Sequence, residues 1–232
     1  MTIVNYDSKL CDLLSSDPTI VTVFNRFGIL LGVGDKTVSR ICDDMGIDKA
    51  FFTTMLNTFI NEEYFPQEML CTFSATKIIE YLNKTNNYYQ YYLIPNIQRH
   101  FGYLLAKSDA SNKSLHIIQE FFFEVKQELQ ARINEDQTTW FPEVLNLESN
   151  LGHVTIDCTN IKHQHDDSIE DKVNDLMNML IMHISGDYDI NLAHAVLTAV
   201  YGLKKDIKQN NRIRERILRP LHDALITLSK QQ

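Results

Sequence analysis

Long amphipathic patterns constrain the fold of this chain more than any other feature of its sequence. Apolar residues recur at helical spacing over residues 75–107, 113–136, 167–184 and 190–208, and a further helix over 211–229 is expected to continue the last. Four such helices in one domain favour an antiparallel bundle. Only 8 Gly and 5 Pro occur in 232 residues, which suits long helices better than turn-rich β architecture. The fold class predicted is therefore all-α.

Prolines and irregular stretches divide these patterns. Pro95 lies inside the first one and predicts a break or kink there. The stretch 141–166 is expected to be irregular, with a possible short strand in the segment HVTIDC. Phe65-Pro66 is expected to end a helix, and Ser74 is expected to cap the next one.

The first 66 residues predict a small helical unit of their own. Asp17-Pro18 is typical of a helix start, Gly28 of a helix end, and Asp48 of a second start. Ile20, Val23 and Phe24 share one face of the first of these helices. The predicted organisation is a small domain at 1–66, a linker at 67–74 and a four-helix bundle at 75–232.

Composition narrows the classes of function. A formal net charge of −8 repels phosphate backbones, so nucleic-acid binding is not expected. The amino terminus lacks the pattern of a signal peptide, and no stretch has the apolar length of a membrane span. A cytoplasmic protein is expected. Its four cysteines (Cys11, Cys42, Cys71 and Cys158) form no CxxC pair and are expected to be reduced.

Three predicted helical segments end at a proline, and each has polar residues at a similar distance before it. Asn86 and Asn87 precede Pro95, Arg132 and Asp136 precede Pro142, and Asn210 and Arg214 precede Pro220. With the small helical unit in front, this frame resembles the haemerythrin-like family that repairs iron centres, known as RIC, ScdA-like or YtfE-like proteins. The resemblance implies a small amino-terminal domain followed by a haemerythrin-like bundle, and it implies dimers.

The resemblance also implies which residues have replaced iron ligands. In the family, histidines and bridging glutamates at these positions hold two irons. The degenerate positions here are Asn86, Asn87, Asn112, Arg132, Asp136, Asp166, Asn210 and Arg214. The family's amino-terminal Cys pair corresponds to Gly32 and Val33.

These replacements are unfavourable for metal. A guanidinium is always charged and has no lone pair for a cation, and an amide oxygen is a poor substitute for imidazole on iron. We therefore expect no iron, no other cofactor and no catalytic residue. Either Arg132 and Arg214 pair with Asp136 or Asp166 in a buried polar network, or both arginines turn outward to solvent.

A relocated metal site is a low-probability alternative. His163, His165 and Asp166 have ligand-like spacing, although a solvated polar loop is the favoured interpretation. His183 and His194 are expected to be packed among apolar residues. Within the run Tyr88–Tyr92, some tyrosines are expected in the core and others at the surface.

Three functions remain open at this point. The first is a non-enzymatic, regulatory or scaffolding relative of the repair proteins in nitrosative or oxidative stress, paired with itself or with a related protein. The second is a variant iron–sulphur repair or nitric-oxide-response protein with a relocated metal site. The third is a small-molecule sensor that uses the emptied bundle cavity.

Overall fold

The regular structure of the chain is helical. A computed structural model describes residues 3–109, 111–154 and 168–231, and within them there is no β-strand, which confirms the all-α prediction. Among the same residues, none of the helices combines the length and apolar character that crossing a membrane requires. The helices are α1 (Leu10–Ser16), α2 (Val21–Arg26), α3 (Val38–Met45), α4 (Lys49–Ile60), α5 (Gln67–Leu70), α6 (Ala75–Tyr88), α7 (Ile94–Ala106), α8 (Lys113–Glu135), α9 (Phe141–Leu151), α10 (Ser168–Met182), α11 (Ile190–Ile213) and α12 (Arg219–Ser229).

Three prolines are accommodated by widened helical turns. A π-helical turn links α6 to α7, α8 to α9 and α11 to α12, each ending two residues before a proline. In each turn the residue just before the proline donates its N–H to a carbonyl five residues back, as Ile94 does to Tyr89. The proline removes an amide donor, and the extra residue in the turn lets the helix continue. These turns are Tyr89–Leu93, Asp136–Trp140 and Arg214–Leu218.

One expectation about helix ends was wrong, because the first part of the predicted irregular stretch is the helix Phe141–Leu151. Phe141 and Val144 are buried on its inner face, so packing extends this helix past the proline. At Pro95, where a break or kink was predicted, a π turn interrupts the α-helix but the chain stays helical, so there is no break. Most of the possible strand HVTIDC lies outside the described residues.

The chain forms two compact units. The first unit combines Met1–Tyr81 with the described parts of Val144–His163 and Arg212–Gln232. The second unit consists of Leu82–Glu143 and the described part of Gln164–Asn211. The predicted boundary at residue 66 stays a prediction, and the predicted linker contains the one-turn helix Gln67–Leu70.

The first unit is organised around aromatic residues of α2 and α4. Phe52 is fully buried, and its ring lies 4.8 Å from that of Phe27 and 6.0 Å from that of Phe24. Caps set the helix starts as predicted, because Asp17 accepts from the Thr19 amide and Asp48 from the Phe51 amide.

Two caps meet at the start of α6. Ser74 accepts from the Lys77 amide, as predicted from the sequence. Glu148 adds a second cap that the sequence did not indicate, accepting from the backbone amides of Ala75 and Thr76 at 2.7 and 2.8 Å. A carboxylate at a helix amino terminus is favourable for both hydrogen bonding and the helix dipole.

The second unit has one apolar core to which four helices contribute. The predicted stripe on α8 is buried throughout, each of its residues being at most 3% exposed. Val173 and Leu176 of α10 and Val200 and Leu203 of α11 are fully buried in the same cluster, together with Ile97 of α7. The α8 stripe consists of Leu115, Ile118, Phe122, Val125, Leu129 and Ile133.

The expectation of four reduced cysteines was wrong. Cys71 is disulfide-bonded, whereas Cys11 and Cys42 are free thiols. The absence of a CxxC pair excludes only bonds between near neighbours, whereas a disulfide depends on which segments the fold brings together.

Candidate functional site: a buried polar network in the second unit

Asn86 and Asp136 meet in the interior of the second unit. They are 4% and 1% exposed, and the Asn86 side-chain amide donates to the Asp136 carboxylate at 2.9 Å. Asp136 is the first residue of the π turn before Pro142. A carboxylate this deeply buried needs hydrogen-bond donors, and Asn86 supplies one.

Asn210 forms a second group of hydrogen bonds. Its side-chain amide, 3% exposed, donates to the hydroxyl of Tyr89 at 3.0 Å and to the carboxylate of Asp206 at 3.2 Å. The Thr85 hydroxyl donates to the Asn210 amide oxygen at 3.4 Å. Both the N–H donors and the oxygen acceptor of the Asn210 side chain are therefore hydrogen-bonded.

Arg132 begins a third group. Its guanidinium donates to the amide oxygen of Asn211 at 3.0 Å, and the Asn211 amide donates to the carboxylate of Glu170 at 3.2 Å. Asn211 and Glu170 are buried and Arg132 is half-buried. The asparagine thus lies between a cation and an anion and hydrogen-bonds to both.

These three groups form one region that we call the polar network: Thr85, Asn86, Tyr89, Arg132, Asp136, Glu170, Asp206, Asn210 and Asn211. Neighbours along the chain connect the three groups. Thr85 is adjacent to Asn86, Arg132 lies about one helical turn before Asp136, and Asn210 is adjacent to Asn211. The polar network fits a structural role, because its hydrogen bonds pair amide and guanidinium donors with carboxylate and amide oxygens. Among the described residues, no three His, Cys, Asp or Glu side chains are grouped so as to hold a metal ion.

The other degenerate positions lie elsewhere. Asn87 is exposed. Asn112 caps α8 and donates to the Ser185 carbonyl at 2.7 Å. Arg214 begins the third π turn, belongs to the first unit and is 7% exposed, so it does not turn outward to solvent.

Gly32 and Val33 lie in a loop of the first unit. Gly32 has a φ of +90°, which favours glycine, and Val33 is buried. His163, His165 and Asp166 lie outside the described residues. The expectation that His183 and His194 are packed was wrong, since both side chains are exposed.

Sequence reasoning missed several members of the polar network. Asp206 is 0% exposed and Glu170 9%, yet neither was singled out. For Asp206 a signal existed, because it lies three residues after Leu203 and four before Asn210, on the inward face of α11. A polar residue in register with an apolar stripe indicates a buried hydrogen bond.

Comparison with known proteins adds no identification. No family model matches the chain, and neither a curated protein nor a solved structure matches it.

Proposed function

We propose that this chain is a metal-free, non-enzymatic relative of the haemerythrin-like di-iron repair proteins, with a four-helix bundle in its carboxy-terminal part. In this proposal it is a regulatory or scaffolding protein in the response to nitrosative or oxidative stress. A hydrogen-bonded polar network stands where the family holds two irons.

One observation carries the proposal. Six positions are defined by their distance from three prolines, and four of them, Asn86, Arg132, Asp136 and Asn210, belong to the polar network, whereas Asn87 and Arg214 do not. The four residues come from helices that are far apart in the chain. If the sequence matched the family's motifs only by chance, the matched residues would not be expected to lie in one buried region. Their convergence supports a common ancestry with an inward-facing ligand set.

The chemistry of the replacements supports a metal-free site. Side-chain amides occupy carboxylate oxygens that a metal would need, as Asn86 does for Asp136 and Asn211 does for Glu170. Arg132 adds a fixed positive charge close to Asn211, which opposes binding of a cation.

An exposed apolar loop supports a role in protein interaction. Leu30 and Leu31 are 79% and 70% exposed, between the buried residues Ile29 and Val33. This loop corresponds to the stretch that carries the Cys pair in the family. Apolar side chains held outward on a loop suit a protein partner, for which a second copy or an iron-loaded relative is the expected candidate.

Elemental analysis tests the metal-free proposal. Protein purified anaerobically from iron-replete cells is expected to contain far less than one iron per chain. The matched variant restores the family's ligands within the polar network by Asn86→His, Arg132→His, Asp136→Glu and Asn210→His, and is expected to gain iron. Stoichiometric iron in the unmodified protein would overturn the proposal, and its loss on His163→Ala with His165→Ala would favour the relocated site instead.

Light scattering tests the interaction role. A dimer is expected, with a mass about twice the 26.9 kDa of one chain. Leu30→Ser with Leu31→Ser is expected to give monomers, whereas Leu228→Ser, at a less exposed leucine of the same unit, is not. A monomer at every concentration would rule out self-association and leave a different chain as the partner.

A further inference from the structure

The outward face of the helical stretch from the end of α6 through α7 is rich in exposed tyrosines. Tyr91, Tyr92 and Tyr103 are 63%, 68% and 55% exposed, and tyrosine is enriched where proteins bind one another. Exposed residues recur along this stretch every three or four positions, so they share one side of the helix. We call this face the tyrosine strip. It lies wholly in the second unit and is defined by Lys84, Tyr91, Tyr92, Arg99, Tyr103 and Lys107.

The tyrosine strip is basic although the chain as a whole is acidic. Lys84, Arg99 and Lys107 are exposed cations. No acidic residue occurs in the sequence between Glu80 and Asp109, although Asp and Glu together number 30 in the chain. The strip therefore presents positive charge only, on a molecule whose formal net charge is −8.

The three cations of the tyrosine strip have no carboxylate partner. Within the part of the chain that the structure describes, none of them takes part in an ion pair, and Arg99 donates instead to the Asn96 side-chain oxygen at 2.6 Å. By contrast, Lys36 and Lys49 of the first unit each have an aspartate carboxylate, at 2.9 and 2.8 Å. The charges of the strip are therefore available to a negatively charged partner.

A glycine inside α7 leaves the helix backbone bare on the same face. Gly102 is exposed, and a Cβ atom added there would meet nothing within 4 Å. Glycine makes a helix less stable than alanine does, and packing among the described residues does not require it at this position. Ala106, one turn later, is also exposed. Two small residues four positions apart, beside Tyr103, let the backbone of another helix approach closely.

Two other occupants fit the tyrosine strip less well. A second copy bound through the same strip would place cations opposite cations, which is unfavourable. A strand of nucleic acid in a duplex carries one charge per about 3.4 Å, whereas Lys84 and Arg99 are separated by about 22 Å of helix. Cations this sparse would neutralise few phosphates.

We propose that the tyrosine strip is the docking surface for an acidic α-helix of another protein. The partner helix lies along α7 and comes closest at Gly102, with the tyrosine rings against its apolar side and its carboxylates opposite the three cations. A strip one helix wide is smaller than a standard protein interface, so the complex is weak and reversible. This surface involves neither the loop at Leu30 and Leu31 nor the polar network.

Selection from a phage library of helical peptides, each of about 20 residues and about 30 Å long, tests the surface. The full chain is the bait, and peptides that also bind a variant with Tyr91→Ser, Arg99→Gln and Tyr103→Ser are removed. Peptides with an excess of Asp and Glu are expected to be enriched. The most enriched peptide is then synthesised with a fluorescent label, and its anisotropy is expected to show saturable binding that weakens with rising salt.

Variants of exposed residues separate the contributions of charge, rings and backbone. Arg99→Gln with Lys107→Gln is expected to weaken binding of the labelled peptide by about tenfold. Tyr91→Ser with Tyr103→Ser is expected to weaken it by about tenfold or more. Gly102→Gln is expected to weaken binding while the free chain melts at the same or a higher temperature, because glutamine is the better helix former.

Matched controls remove the same groups elsewhere in the second unit. Lys113→Gln and Tyr201→Ser change an exposed cation and an exposed tyrosine and are expected to leave peptide binding unchanged. The proposal is overturned if no peptide is enriched, if the enriched peptides are not acidic, or if variants of the strip bind as the controls do. It is also overturned if a labelled oligothymidylate binds more tightly than the peptide and depends on Arg99, which would show a nucleic-acid surface. Self-association that is lost on Arg99→Gln would show a second copy as the occupant and would overturn it as well.

Discussion

Asn86 and Asn87 are adjacent residues of the same type with opposite surroundings. Asn86 is 4% exposed and donates to the buried Asp136 carboxylate, whereas Asn87 is exposed. Asn86→Ala is expected to lower the free energy of unfolding by about 1.5–3 kcal/mol, because it removes a hydrogen bond from a buried charge. Asn87→Ala is expected to change it by less than about 0.5 kcal/mol. Urea unfolding of both variants measures the difference, and equal losses would contradict the assignment.

Cys42 and Cys11 are free thiols that differ in burial. Burial raises the pKa of the Cys42 thiol to about 11, which keeps it protonated at pH 8. Because the thiolate is the reactive form, iodoacetamide is expected to label the half-buried Cys11 of the native protein and to spare Cys42. Peptide mass spectrometry after a timed quench measures both rates. Labelling of Cys42 as fast as Cys11 would show that its thiol is accessible and ionised.

Sequence reasoning located four of the nine residues of the polar network but not how they pair. The distance from each proline identified Asn86, Arg132, Asp136 and Asn210. It did not indicate that Arg132 donates to Asn211, because pairing depends on how far each helix is rotated about its axis. A shift of one residue along α11 turns a different side chain inward, by about 100°.

At the level of secondary-structure elements, the prolines show that a proline in a helical sequence does not by itself determine whether the helix ends, kinks or continues. Proline removes one amide donor and crowds the preceding turn, so either a kink or a widened turn relieves it. Buried residues on both sides of Pro95, such as Leu93 and Ile97, keep the helix in its core. Their packing selects the π turn, and a sequence rule that considers the proline alone predicts a break.

Asp48 links the cap of α4 to the pH dependence of stability. Its carboxylate accepts hydrogen bonds from the Lys77 side chain, the larger effect, and from the Phe51 amide, and both lower its pKa. Since the folded-state pKa is lowered, the stability that ionised Asp48 contributes is complete above its unfolded pKa. It is lost as the pH falls through the folded value.

Replacement of this cap gives a pH-dependent prediction. Asp48→Ala is expected to lower the free energy of unfolding by about 1 kcal/mol at pH 7. The difference from the unmodified protein is expected to shrink as the pH falls below the ordinary aspartate pKa of about 3.9. Urea unfolding across pH measures it, with Asp223→Ala on an exposed position of α12 as the control. A loss that stays constant down to the acid limit would contradict the role of the ionised carboxylate.

For the whole molecule, the amphipathic stripes predicted well which residues are buried. They did not predict which other elements those residues pack against. The stripe shows that a helix has a buried face, but it does not say which element covers that face. Arg212 is an example: it follows the last residue of the second unit, yet it donates to the carbonyls of Asn61 and Tyr64 in the first. Contacts between residues about 150 positions apart leave no local pattern in the sequence.

The disulfide at Cys71 gives a prediction for the whole chain. One disulfide uses two of the four cysteines, so protein purified without reductant and then denatured is expected to show two thiols, and four after reduction. Cys71→Ser is expected to show three thiols with or without reductant, because its former partner is released. Thiol titration measures each number, and four thiols in the unreduced protein would contradict the disulfide.

The same titration bears on the compartment expected for this protein. Reducing systems of the cytosol keep most thiols free, so a stable disulfide there is uncommon. Acid quenching of intact cells followed by thiol labelling distinguishes a disulfide present in the cell from one formed after lysis. If Cys71 is oxidised at the quench, an oxidising compartment or a redox role replaces the cytoplasmic expectation. If it is reduced in cells and oxidised only after purification in air, the cytoplasmic expectation stands, and the disulfide reports only that the fold brings two cysteines together.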